Sequence, residues 1–179
     1  MPFYLATKGT LHPHDFRYLA GDYEKARMEP TIVPGKIKEL VKPIHPENKV
    51  DFFAIDIMSK MVKTLNSKSS LSDVRSLMQI ENIRHVPIVE NHKFMGMISD
   101  RDLLKLDMAG TFTFLKAEEV MNTLIVVATE ETPLAHIARV LLEEKISAIP
   151  IVNDKFHLSG IVTISDILRT VIYNRLVLK

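Results

Sequence analysis

IRHVPIVENHKFMGMISDRD, residues 83–102, and ISAIPIVNDKFHLSGIVTISD, residues 146–166, are two versions of one pattern. Each runs from an apolar residue through a proline-centred stretch, HVPIV (85–89) or AIPIV (148–152), into a short polar turn. Each continues into a glycine-bearing run, FMGMIS (94–99) or HLSGIVT (157–163), and then places a hydroxyl residue three positions before an aspartate. Runs of this length, rich in β-branched residues and split by ENHK or NDK, predict a two-stranded hairpin in each copy. The hydroxyl at the end, Ser99 or Thr163, predicts the start of a helix. In the longer of these helices Ile164, Ile167, Leu168, Val171 and Ile172 form one apolar stripe.

The match extends upstream. Met58 and Met121, Leu71 and Leu134, Ile83 and Ile146, and Pro87 and Pro150 all stand 63 residues apart. Gly96 and Gly160, like Asp102 and Asp166, stand 64 apart, so one residue is inserted between Asn153 and Ser159, where a turn absorbs it. Before each hairpin lies a helical spacing of apolar residues: Leu71, Val74, Leu77 and Met78 in one copy, Leu134, Ile137, Ala138 and Leu141 in the other. Ser69 and Ser70, and Thr132 with Pro133, are the matching start signals. The chain therefore repeats a β-α-β-β-α unit, an α/β (α+β) fold in two copies.

A repeated β-α-β-β-α unit with an apolar-Pro-apolar step before the hairpin and Gly-x-x-Ser/Thr-x-x-Asp across its end resembles the CBS domain. Two in tandem resemble the CBS pair, or Bateman module. The resemblance covers repeat 1 at 54–110 and repeat 2 at 117–179, packed through their sheets with pseudo-two-fold symmetry. Residues 1–53 remain as a loop-rich N-terminal arm of unassigned role. The family implies a regulatory, non-catalytic module that takes AMP, ADP, ATP or S-adenosylmethionine in clefts between the repeats, needs no cofactor, and passes its occupancy to a partner protein.

Position by position, the resemblance assigns Ser99 and Thr163 to the hydroxyl near a phosphate, and Asp102 and Asp166 to the carboxylate that holds ribose hydroxyls. Arg84 and His85 match basic residues that reach phosphates, whereas their counterparts are Ser147 and Ala148, so the two clefts should differ. Arg101 adds a planar donor fork. Thr64 and Val127 hold the first-strand positions that line the adenine pocket, and Pro87, Ala148 and Pro150 complete the ligand-binding set. The chemistry suits these roles: a carboxylate accepts two hydrogen bonds from a vicinal diol, and amides at a helix start donate to phosphate oxygens. The cleft with Asp102, Arg84 and His85 is the expected principal one.

Plainer roles compete. Ser/Thr-x-x-Asp is also a capping box, Arg84 and His85 also fit a solvated turn, and the prolines fit strand entrances. His12, His14 and Asp15 have the alternation of an extended metal-binding segment but equally that of a polar loop, and no metal is assigned to them. The nine methionines sit mainly at apolar positions such as Met58, Met78 and Met121, as core fillers. Six of nine prolines precede residue 50, which predicts loop there, with room for a short helix around Lys36–Val41.

Composition narrows the function classes. At 179 residues, 46% hydrophobic and 25% charged, the chain has the balance of a globular domain. Its net charge of +1 offers no field for gathering polyanions, so nucleic acid is not the expected partner. No run approaches the 18 or so apolar residues of a membrane span, and the start lacks a secretory leader. The absence of cysteine removes disulfides, thiolate metal sites and cysteine nucleophiles and suits a reducing, cytoplasmic setting. No phosphate loop, nucleophile elbow or zinc-protease motif is present, so no enzymatic activity is expected. Two functions remain: a ligand sensor acting as a homodimer, and a ligand-free scaffold whose apolar helix faces serve dimerisation.

Overall fold

The computed structural model describes residues 3–7, 9–19, 52–108 and 115–173. The chain opens with a hairpin, β1 (Phe3–Thr7) and β2 (Thr10–Pro13), and a 3-10 turn at Arg17–Leu19. The first copy of the unit then supplies α1 (Ala54–Ile57), α2 (Leu71–Ile80), β3 (His85–Glu90), β4 (Lys93–Ser99) and α3 (Asp100–Met108). The second supplies α4 (Ala117–Val120), β5 (Leu124–Thr129), α5 (Leu134–Glu143), β6 (Ala148–Val152), β7 (Leu158–Thr163) and α6 (Ile164–Tyr173). The helix expected around Lys36–Val41 lies outside the described residues.

Local chemistry recurs at the repeat spacing where the central helices end but not where they begin, since α5 starts after Pro133 with no side-chain cap. Ser70 caps α2 in a reciprocal box, its hydroxyl accepting from the Asp73 amide at 3.1 Å while Asp73 Oδ2 accepts from the Ser70 amide at 3.0 Å. Both central helices end the same way: Ile83 N–H donates to Met78 O at 3.0 Å and Ile146 N–H to Leu141 O at 3.1 Å, with Asn82 and Lys145 at positive φ between. Pro87 and Pro150 sit inside β3 and β6, beyond the strand entrances expected for them. Leu65 N–H donates to Pro87 O, so the proline nitrogen, on the same side, also faces the preceding strand segment. It has no proton to offer. The parallel pairing starts just past each proline, Leu65 with Ile88 and Ala128 with Ile151.

The first strand expected in repeat 1 is reduced to that single bridge at Leu65, whereas its counterpart β5 is a full strand. The difference lies in what flanks them. β1 pairs antiparallel along the outer edge of β5, from Phe3 opposite Ala128 to Thr7 opposite Leu124, giving a sheet of order β2-β1-β5-β6-β7. No strand pairs with the outer edge of residues 62–65 among the described residues. The N-terminal segment thus carries regular structure that its prolines and glycines concealed.

The two repeats exchange their opening helices. Ala54 and Met58 belong to the core of repeat 2, with Ile137, Val140, Ile149 and Val162. Ala117 belongs to the core of repeat 1, with Leu71, Val74, Val86 and Ile98, and Met121 packs against it. The hydrogen bonds are reciprocal: Ala54 N–H to Thr132 O and Ala117 N–H to Ser69 O, both at 2.9 Å. Strand edges join in the same way, Ser59 with Ile161 and Asn122 with Met97. This explains the glycines. A β-carbon at Gly96 would lie 2.7 Å from the Asn122 carbonyl oxygen, and one at Gly160 would collide with the side chain of Met58. Each glycine is the seat of the opposite repeat's methionine segment.

Candidate functional site

Both Ser/Thr-x-x-Asp sequences form the same structure. Asp102 Oδ2 accepts from the Ser99 amide at 2.9 Å and its hydroxyl at 2.6 Å, and Asp166 Oδ2 accepts from the Thr163 amide and hydroxyl at the same two distances. Each hydroxyl oxygen in turn accepts from the aspartate amide, at 3.4 and 3.3 Å. The capping role is therefore real in both repeats, and it uses one carboxylate oxygen and the hydroxyl proton. What remains to meet a ligand is the second oxygen, Oδ1. In repeat 2 that oxygen accepts from Arg169 Nη1 at 3.2 Å, whereas Lys105, the basic residue three after Asp102, makes no such bond among the described residues.

The strands carry these helix starts to the line where the repeats meet. Ser99 lies opposite His85 in the β3–β4 ladder, and Thr163 opposite Ala148 in the β6–β7 ladder. His85 Nε2 and the Ser147 hydroxyl are 3.0 Å apart, which joins the two repeats at this point. Burial holds the His85 imidazole below its ordinary pKa, against the pull of Asp100 and Asp102, so the neutral ring is favoured there. Arg84 and Arg101 are exposed beside it. A neutral, half-buried imidazole, two solvated guanidinium groups and two helix starts make a polar region suited to a phosphate or another polar 5′ substituent.

The apolar residues assigned to a ligand differ in access. Pro87, Ala148 and Pro150 are buried within their strands. Val127 is fully buried, clustered with Ala6, Phe94, Ile125 and Val152. Thr64, its counterpart, is exposed. The sequence reading did not include Tyr4, Ala6 and Leu11, which bring the N-terminal hairpin into this inter-repeat cluster. The signal was present: FYLAT followed by Lys8-Gly9 and TLHP is a β-rich run, a turn and a second run. Arg169 was also missed, although a basic residue three after a capping aspartate is a local pairing signal.

His12 is exposed on β2, and His14 packs edge-on against Phe16 with ring centres 4.5 Å apart. No three histidine, aspartate or glutamate side chains converge as a metal site among the described residues. A cavity of about 540 Å³ opens between Tyr4, Thr129, Pro133, His136 and Asn153. It contains none of the residues assigned to the ligand. No helix among the described residues is long and apolar enough to cross a membrane.

Comparison with known proteins gives the architecture its place. The CBS domain model matches residues 54–109 and again 117–173. The L-aspartate semialdehyde sulfurtransferase of Methanocaldococcus jannaschii is 35% identical over 115 residues, which is 64% of this chain and 22% of that enzyme. The chain thus spans about a fifth of that relative's length. The crystal structure of the CBS domain pair of protein MJ0100, in complex with 5′-methylthioadenosine and S-adenosyl-L-methionine, superposes with a TM-score of 0.64 at 32% identity. That match covers 69% of this chain and 98% of the other. CBSX2 in complex with AMP gives a TM-score of 0.64 at 25% identity, with the same coverage of 69% and 98%. Two matches to one model fall on the two halves that exchange helices across the pseudo-two-fold, and this chain belongs to the CBS domain family as a tandem pair.

Proposed function

We propose that the chain is a regulatory, non-catalytic module that binds an adenosine ligand between its two repeats and reports occupancy to a partner protein. One observation carries this reading: two capped helix starts, each with an aspartate, flank the line where His85 of one repeat meets Ser147 of the other. A ligand lodged there touches both repeats at once. It therefore binds one relative arrangement of them better than another and shifts the population toward it. Support comes from the ligands of the related pairs, S-adenosylmethionine, 5′-methylthioadenosine and AMP. No cofactor is needed for such a role, and the cysteine-free sequence suits the cytoplasm.

A thermal-shift panel of AMP, ADP, ATP, 5′-methylthioadenosine and S-adenosylmethionine tests it. One of these is expected to raise the melting temperature progressively, equivalent to about 2.7 kcal/mol at a hundredfold excess over Kd. No shift with any of them defeats the proposal.

A second reading rests on a different feature. Ile164, Leu168 and Ile172 are exposed along one side of α6, and such a stripe suits a homodimer contact. In the scaffold reading this contact is the whole function and the clefts stay empty. Sedimentation showing a monomer throughout the micromolar range would remove the dimer from both readings.

A further inference from the structure

The pseudo-two-fold makes two gaps between the sheets, and they are not alike. At one, the chain leaves the edge of β4 at Asn122 and becomes β5, whose outer edge faces the gap. β1 occupies that edge over its whole length, Phe3 to Thr7. The hairpin turn reaches β4, where a β-carbon on Gly9 would lie 3.1 Å from Met95 Sδ. Tyr4, Ala6 and Leu11 pack in one cluster with Phe94, Ile125 and Val127. At the other gap the chain leaves the edge of β7 at Ser59 and continues through residues 62–65. Thr64 has the register of Val127, the one that turns inward in repeat 2, yet it is exposed, and Met61 beside it is 92% exposed. An inward register that remains open to solvent marks a space that no described residue fills.

The hairpin is also firmly held. Phe3 and Phe16 are buried in the core of repeat 2 with ring centres 5.4 Å apart in an edge-to-face contact. Tyr18 donates to Glu144 Oε1 at 2.9 Å and lies 5.6 Å below the Arg139 guanidinium. Displacing the hairpin exposes this aromatic cluster as well as the β5 edge, a cost no small ligand recovers from a few hydrogen bonds.

We propose that the N-terminal hairpin is a built-in occupant of the gap beside β5, so the protein takes one adenosine ligand per chain, in the gap between residues 62–65 and β7. The inference rests on the adenosine-ligand reading above and names its site. It reverses the expectation that the Asp102 cleft is the principal one. The ligand's ribose diol meets Asp166 Oδ1 in place of Arg169; Asp166 is buried and Arg169 exposed, so it is the arginine that swings away to admit the ligand. Thr64 lines the base, and Thr163 and Ser147 border the 5′ end. His85, whose Nε2 lies 3.0 Å from the Ser147 hydroxyl, borders this end as well, so adenosines with and without a phosphate both fit it.

Isothermal titration of the full chain with S-adenosylmethionine, and separately with AMP, counts the sites. One ligand per chain is expected, with Asp166→Asn weakening binding at least about tenfold. Thr64→Trp, which fills the open gap, should abolish binding without loss of the fold. Amide exchange at Tyr4 and Ala6, whose backbone faces β5, should be unchanged by ligand. Two ligands per chain, undiminished binding by Asp166→Asn, or ligand-induced loss of protection in β1 would each overturn the assignment while leaving adenosine binding intact. Absence of binding by both ligands to a folded chain would instead remove the reading on which it rests.

Discussion

Val127 and Thr64 occupy one position in two copies of a unit, and among the described residues what lies on the neighbouring strand edge differs between them. Where β1 pairs with that edge, the strand is regular and its inward side chain is sealed against Phe94. Where no described strand pairs, the strand shrinks to one bridge and the side chain stays in contact with water. Duplicated sequence therefore fixes a unit's core, while a segment outside the duplication decides which copy is complete.

The strongest way to break this comparison is to cut the filled side. Phe94→Ala should cost about 3–5 kcal/mol in urea unfolding, as expected for a buried aromatic. Its counterpart Leu158 is only half-buried, so Leu158→Ala should cost clearly less. Equal losses would mean that the hairpin adds nothing to the packing over β4. The exchanged helices offer a second contrast. Gly96→Ala meets a backbone carbonyl that cannot move aside and should cost about 1–3 kcal/mol. Gly160→Ala meets the flexible Met58 side chain and should cost less, with Met58→Ala in the same chain restoring part of the loss. Failure of that rescue would separate the glycine from the methionine.

The smallest effect concerns His85, which stands where repeat 2 has Ala148. Burial lowers its folded pKa, so its contribution is fully present above the ordinary histidine value of about 6.5 and is lost as pH falls below it. Melting temperature should decline through that window. His85→Gln should make the decline shallower, leaving the share of His136, which burial lowers in the same way. An unchanged slope would show that His85 is not sequestered at the meeting of the repeats.

Much of this was legible because the repeat reports itself twice. The hairpins, the two central helices and the capped aspartates all follow from patterns that recur in register. Three features were not legible, for physical reasons. Proline was read as a strand entrance, yet Pro87 and Pro150 lie inside strands because their missing proton faces a neighbour that has not yet begun to pair. The glycines were read as motif letters, and only the exchange of Met58 and Met121 gives them a cause. The FYLAT hairpin was hidden by later prolines, and its partner edge lies more than a hundred residues away, beyond any local pattern.

The exchange of opening helices has an ancestral corollary. A polypeptide carrying a single copy of the unit would leave an apolar socket at Gly96 and an unhoused methionine segment at Met58, each complementary to the same parts of a twin. Such a molecule is self-complementary about a two-fold axis. Joining two of them end to end converts that association into an intramolecular one, and frees one copy to drift while the other is held.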